Sequence, residues 1–165
     1  MDFIVFPVAI VRHELSDEEL RKKFEGIRAR VEVLKEYEEA LEGLEGFSHL
    51  ILVSYLNKVD RKPLKVKPKR LLEFGINLNE LPEVGVFCTD SPMRPNPIGI
   101  SVVRFIERKG NVLIIDNCDL FNNTPILDIK PLTLDKIPEK VFFPEWYSAL
   151  IKLIKDRKGI DLKVI

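Results

Sequence analysis

Apolar and polar positions alternate over much of this chain. In "IRARVEVL", Ile27, Ala29, Val31 and Val33 alternate with Arg28, Arg30 and Glu32, the period-two pattern of a strand buried on one face. "FIVFPVAIVR", Phe3 to Arg12, predicts a β-run interrupted by a proline, hence an edge strand or a bulge. "FSHLILVSYL", Phe47 to Leu56, is apolar almost throughout and predicts a strand buried on both faces. "VGVFC", "IGISVVRFIER", "NVLIIDNCDL" and "TPILDIKPLTL" add further strands, the middle two joined by a hairpin turn at Lys109-Gly110-Asn111. Helical signals are fewer. "SDEELRKKFEG" offers Ser16 as N-cap, Glu19 as its reciprocal partner and Gly26 near the stop, and "YEEALEGLEG" predicts a helical turn or two. Only "PEWYSALIKLIKDRKG" sustains a helix, about residues 144–157, with Trp146, Leu150, Ile151 and Ile154 on one face.

Many short strands with helices at the margins predict a mainly-β fold: a small closed or nearly closed β-barrel with short peripheral helices and a C-terminal helix, one domain over residues 1–165. Strand–helix alternation is absent, which argues against a doubly wound fold, and "GLEG" at Gly43 to Gly46 lacks the spacing of a dinucleotide fingerprint. With 45% apolar and 32% charged residues the composition is that of a globular protein. Lysine plus arginine equal aspartate plus glutamate at 26 each, so net charge does not point to nucleic acid. "RKPLKVKPKR" does locally: Arg61, Lys62, Lys65, Lys67, Lys69 and Arg70 stand in ten residues without an acid, either a solvated loop or a surface for phosphates. There is no membrane-length apolar stretch and no signal-peptide pattern, which predicts a cytoplasmic protein. Cys88 and Cys118 fit no metal or redox spacing, so no metal is expected.

Familiar catalytic signatures (a nucleophile elbow, a phosphate loop, a zinc-binding helix motif) are missing. Of the two histidines, His49 lies in an apolar strand and is expected to be a packing residue. Two polar segments are held by prolines. "CTDSPMRPNPIGIS", Cys88 to Ser101, sets Pro92, Pro95 and Pro97 around Arg94 and Asn96, which makes it a stiff loop. "DLFNNTPILDIKP", Asp119 to Pro131, crowds Asp119, Asn122, Asn123, Thr124, Asp128 and Lys130 around Pro125 and Pro131. Rigid loops concentrate binding residues, though both segments could equally be strand connections with Asx-type turns.

Together, "GLEGFSHLILV", "GVFCTDSPMRPNPIGISVV" and "DLFNNTPILDIKP" resemble the YaeB/TsaA-like family, the one containing the tRNA methyltransferase TrmO. Its usual wording is F-S-H-L/I, G-V-F-A-T-R-S-P-x-R-P-N-P-I-G-L-S and D-x-x-D-G-T-P-V-L-D-I-K-P-Y, matched in order from about Leu41 to Pro131. The resemblance implies a small β-barrel that binds S-adenosylmethionine (SAM), works as a homodimer and methylates N6 of threonylcarbamoyladenosine beside the tRNA anticodon. Carried over by motif, it implies cofactor contacts at Asn57, Lys58, Asp90, Arg94, Gly99, Ile100, Asp119, Leu120 and Phe121. It also implies that Asp128 and Lys130 orient the loop or handle a proton, and Arg61 to Arg70 would meet tRNA phosphates. The family arginine of T-R-S-P is Asp90 here, and D-G-T-P reads Asn122-Asn123-Thr124-Pro125. Asparagine tolerates left-handed backbone, so that turn is expected to survive. The alternatives are a non-catalytic member binding SAM, another nucleotide-like ligand or RNA, and a methyltransferase acting on a small molecule.

Overall fold

The structure, a computed structural model, describes residues 4–23, 25–60 and 62–159. In chain order the elements are β1 (Ala9–Arg12), α1 (Asp17–Arg21), β2 (Ile27–Val33), β3 (His49–Tyr55), β4 (Lys65–Val66), β5 (Val84–Gly85), β6 (Ile98–Lys109), β7 (Val112–Cys118), β8 (Pro125–Pro131) and α2 (Glu145–Lys158), with short 3₁₀ turns between them. The chain divides into two compact units, one of residues 1–59 and 97–136, the other of residues 60–96 and 137–165.

The first unit is a closed antiparallel barrel in the order β1-β2-β7-β6-β3-β8. The period-two sequences explain it: Ala9, Val11, Ala29, Val31, Val33, Leu50, Leu52, Val103, Phe105, Leu113, Ile115 and Ile126 point inward and form one core, and their neighbours point out. Each fully buried Leu, Ile or Val contributes about 1.5–3 kcal/mol relative to exposure. Closure settles two expectations differently. β1 is no edge strand: it begins at Ala9, beyond Pro7, and pairs with β2 on one side and β8 on the other. β3 is buried on one face only, because barrel strands carry a second, outer face; His49 lies on that outer side, half-buried, with Nδ1 2.9 Å from Ser48 Oγ rather than in the core. "VGVFC" is strand only at Val84–Gly85 and then tightens into a 3₁₀ turn.

The hairpin between β6 and β7 turns at Gly110-Asn111, with Gly110 at φ +61°. α1 has both halves of its capping box: Ser16 Oγ accepts from the Glu19 N–H (3.3 Å) and Glu19 Oε2 accepts from the Ser16 N–H (2.8 Å). The helix ends at Arg21, well short of Gly26. Gly26 serves another purpose: a Cβ there would fall 2.3 Å from the Asn117 carbonyl carbon, so only glycine lets these two segments pass.

In the second unit β4 and β5 form a two-stranded sheet, and α2 packs Leu150 and Ile154 on Leu71, Phe74, Ile76 and Leu81. Trp146 and Leu153 flank this core; Ile151, expected on the same face, is half-buried. The 3.6-residue period explains the shift, since Leu153 and Ile154 complete the face begun by Trp146 and Leu150. Arg157 forks onto Glu80 at 3.0 and 2.5 Å.

Candidate functional site

Antiparallel pairing brings the C-terminal ends of β1, β3 and β7 and the N-terminal ends of β2, β6 and β8 to one rim of the barrel, as the pairs Ile27–Cys118, Tyr55–Ile98 and Ile10–Pro125 show. To this rim are attached Asn57 and Lys58 after β3, Gly99 and Ile100 at the start of β6, and Asp119, Leu120 and Phe121 after β7. Residues scattered over more than sixty positions of sequence thus share one end of the fold.

Gly99 faces Ser54; a Cβ on it would stand 2.7 Å from Ser54 Oγ and 3.1 Å from Leu56 Cδ2. Ser54, Ser101, His13 and Thr124 are buried polar side chains among the described residues, and Ser101 Oγ donates to Asp119 Oδ1 at 2.6 Å. That bond orients an exposed carboxylate whose Oδ2 accepts nothing among the described residues. Ile100 points outward, 72% exposed. Leu120 turns its side chain into the barrel core, so only its backbone faces the rim. Phe121 is half-buried with the Arg21 guanidinium 5.1 Å and the Lys58 ammonium 5.2 Å from its ring centroid. Lys58 also meets both carboxylate oxygens of Asp17 at 2.7 Å, which ties α1 to the rim. Cys118 beside them is no nucleophile. Burial, with the Asp119 charge adding to it, pushes its thiol up to about 12.

The loop after β7 is clamped by the end of β1. His13, 7% exposed, donates from Nε2 to the Leu120 carbonyl at 3.1 Å; that acceptor fixes the tautomer and leaves Nδ1 buried without a partner among the described residues. The His13 N–H donates to Asn122 Oδ1 (3.3 Å), the Arg12 guanidinium to Asn123 Oδ1, the Asn123 N–H to the Val11 carbonyl (2.9 Å), and the Val11 N–H to the Thr124 carbonyl (3.0 Å). Sequence reasoning passed over His13, Arg12, Arg21 and Ser101. Nothing local in the sequence marks His13, Arg12 or Arg21, because each acts on a segment far along the chain, whereas Ser101 closes the family motif that begins at Gly85.

Two of the predicted residues stand on the barrel's outer wall. Asp128 and Lys130 sit on the outer side of β8, opposite Val53 and Ile51, and pair with each other at 2.6 Å. Asp90 and Arg94 belong to the second unit. There Arg94 Nη1 donates to the Thr89 carbonyl at 3.1 Å, and Thr89 Oγ1 donates to Val86 O at 3.0 Å and accepts from the Ser91 N–H at 3.2 Å. The proline loop is stiffened by its own arginine as well as by its prolines. In the basic stretch Lys62, Lys65, Lys69 and Arg70 are exposed and Lys67 donates to the Leu78 carbonyl at 3.1 Å; Arg61 lies outside the described residues.

The family model for the tRNA-methyltransferase O N-terminal domain (TrmO_N) matches residues 21–135. The chain belongs to the TrmO family. It is 47% identical over 105 residues to a probable S-adenosyl-L-methionine-binding protein of Pyrococcus abyssi, covering 64% of this chain and 52% of that one. It is 33% identical over 111 residues to a tRNA (adenine(37)-N6)-methyltransferase of Rattus norvegicus, covering 66% of this chain and 24% of the relative. A crystal structure of TrmO superposes with a TM-score of 0.67 at 30% identity, over 86% of this chain and 64% of that one. The chain thus spans about half of the first relative and a quarter of the second.

Against the TrmO-family motif, the D-G-T-P departure leaves the turn intact. Thr124 N–H closes on the Phe121 carbonyl at 3.1 Å with Asn123 at φ +67°, where the motif has glycine. Asn122 and Asn123 both use their side-chain carbonyls as acceptors in the clamp.

Proposed function

We propose that this chain binds S-adenosylmethionine at the barrel rim and transfers its methyl group to N6 of an adenosine in tRNA, threonylcarbamoyladenosine beside the anticodon being the acceptor. The observation that carries the reading is the convergence, in a TrmO-family barrel, of an oriented carboxylate, a cation and apolar surface at one rim. The residues fit the cofactor's groups. Asp119 Oδ2 and the Asn57 side chain offer acceptors to an amine and a ribose, Lys58 offers a cation to a carboxylate, and Ile100 and Phe121 offer apolar surface to a purine. Bound there, the cofactor would supply an electrophilic methyl group for the N6 nitrogen, whose proton would have to be taken up. The chain's part is positioning, and the His13 clamp on Leu120 keeps Asp119 and Phe121 in place for it. Asp128, held by Lys130, is the proposed proton acceptor, and Asp90 and Arg94 enter as further cofactor contacts to be tested by substitution.

The reading includes a homodimer and a tRNA contact through Arg61 to Arg70. Tyr55, Ile98, Ile100 and Val102 are exposed apolar side chains on the outer wall of β3 and β6, which supports pairing of two copies. No helix among the described residues is long and apolar enough to cross a membrane. Calorimetric titration with S-adenosylmethionine and S-adenosylhomocysteine, followed by methyl incorporation into tRNA, tests the function. Micromolar binding that weakens in Asp119→Asn and Ser101→Ala, with transfer to tRNA, is expected. Binding of neither ligand would sink the proposal. A second reading, a member that binds the cofactor without transferring, is favoured by the engagement of Asp128 with Lys130 and by Asn122 standing where the family motif has an acid. Cofactor binding without methyl incorporation into any tRNA would select it.

A further inference from the structure

We infer that the outer wall of β1 and β2, at the same rim, is a surface for the phosphate backbone of an RNA chain, centred on Arg12, Arg28 and Arg30. The inference rests on the tRNA reading only for the kind of RNA. A groove of about 500 Å³ runs along this wall, and Arg12, Arg28, Arg30 and Lys109 line it with Glu14 and Glu107. Strand register makes the arrangement unusual: Arg12 on β1 lies directly opposite Arg30 on β2. Like charges directly opposed across a ladder destabilise it, so this pair is a liability unless anions answer it.

The protein's own acids answer it only in part. Glu32 takes Arg12 at 2.8 Å and Glu107 takes Lys109 at 2.8 Å. Arg30 has a single long contact of 3.4 Å to Glu14, which is itself almost fully exposed. Arg28 has no ion pair or hydrogen bond among the described residues, and it stays on the exposed outer face of β2 opposite the register shift, where β7 carries the extra residue. Guanidinium forks match phosphate oxygens bidentately, and exposed arginines along an open groove suit a row of phosphates better than one enclosed anion. The groove is also continuous with the candidate site, because Arg12 donates to Asn123 in the rim loop. A backbone held on this wall would bring its nucleotides to the residues that position the methyl donor.

The test is fluorescence anisotropy of the full chain with labelled tRNA across a salt series. It compares wild type, Arg28→Glu/Arg30→Glu, the milder Arg28→Ala, and Lys65→Glu/Lys67→Glu/Lys69→Glu. Loss of two phosphate contacts is expected to weaken binding about tenfold near 0.1 M salt and to flatten the log–log salt slope by about 1.4 to 1.8. Arg28→Ala should flatten it by about half as much, and it removes an exposed, unpaired side chain that the fold does not use. Cofactor titration should not change in either groove variant, which separates this surface from the cofactor site. Unchanged tRNA affinity and slope in both groove variants would overturn the inference, as would a wild type that binds no RNA. So would loss of all RNA binding in the lysine triple alone. A wild type that binds tRNA through the groove yet neither binds nor transfers from the cofactor would uphold the groove and sink the proposed function.

Discussion

Truncating His13 should loosen the rim more than any other single change outside the apolar core. The imidazole is buried and its Nε2 serves the carbonyl of Leu120, a residue that is itself only 4% exposed. In His13→Ala that carbonyl loses its donor where water cannot readily replace it, which costs about 1–3 kcal/mol. Lost packing of the ring adds about 1 kcal/mol, so the total is about 2–4 kcal/mol. For a chain of this length that corresponds to a fall in Tm of about 5–15 °C. His13→Gln places an amide N–H near the former Nε2 and should recover most of the loss, because Nδ1 has no partner among the described residues to forfeit. The assay has to watch the barrel: Trp146, the sole tryptophan, belongs to the second unit, so far-UV circular dichroism in urea is the right probe and tryptophan fluorescence is not. Cofactor affinity should fall with His13→Ala and return with His13→Gln, since Asp119 and Phe121 flank the carbonyl. A glutamine variant as damaged as the alanine variant, or an alanine variant within about 0.5 kcal/mol of wild type, would refute the hydrogen-bond account.

Asn123 holds a left-handed φ and accepts from Arg12, so Asn123→Gly should keep the turn within about 0.5 kcal/mol, whereas Asn123→Ala should lose about 1–2 kcal/mol; urea titration of the pair checks this. The Arg157 guanidinium, with the Asn77 backbone N–H, holds the Glu80 carboxyl down to about 2 from its ordinary 4.5. A depressed carboxylate pKa stabilises above the unfolded value, and that contribution disappears as pH falls from about 4.5 to about 2. Glu80→Gln should therefore flatten the pH dependence of stability in that window and leave it unchanged near neutrality, as acid titration by circular dichroism would show. Cys88 is exposed and Cys118 buried with a raised pKa, so a thiol reagent at mildly alkaline pH should label one equivalent in the folded protein and two in denaturant; rapid labelling of both when folded would contradict the packing around Cys118.

The strands and the barrel were legible because period-two burial is a local property: Ala29, Val31 and Val33 declare an inward face without knowing their partners. What stayed hidden was the consequence of closure. Pro7 suggested an edge, but a closed sheet has none, and the strand starts two residues later with neighbours on both sides. The nearly unbroken apolar run of β3 looked buried twice because the sequence does not distinguish an outer wall from a second core. Site residues separated in the same way. Asn57, Lys58, Gly99, Ile100 and Asp119 to Phe121 were readable by family motif and are brought to one rim; Ser101 ends the same motif but shows its part only through the carboxylate it holds, and His13, which carries no motif, only through the carbonyl it holds.

The departures from the family pattern are better understood through the clamp than through charge alone. Exchanging the motif's aspartate for Asn122 removes a negative charge but keeps a side-chain carbonyl oxygen, and that oxygen accepts from the His13 N–H. Exchanging glycine for Asn123 keeps the left-handed backbone and adds an acceptor that glycine lacks, which engages Arg12. The two asparagines therefore tie the rim loop to β1 with neutral acceptors, and Arg12 joins that loop to the basic wall beside it. The clamp itself is built entirely from residues of the barrel, from Val11 to His13 on one side and Leu120 to Thr124 on the other.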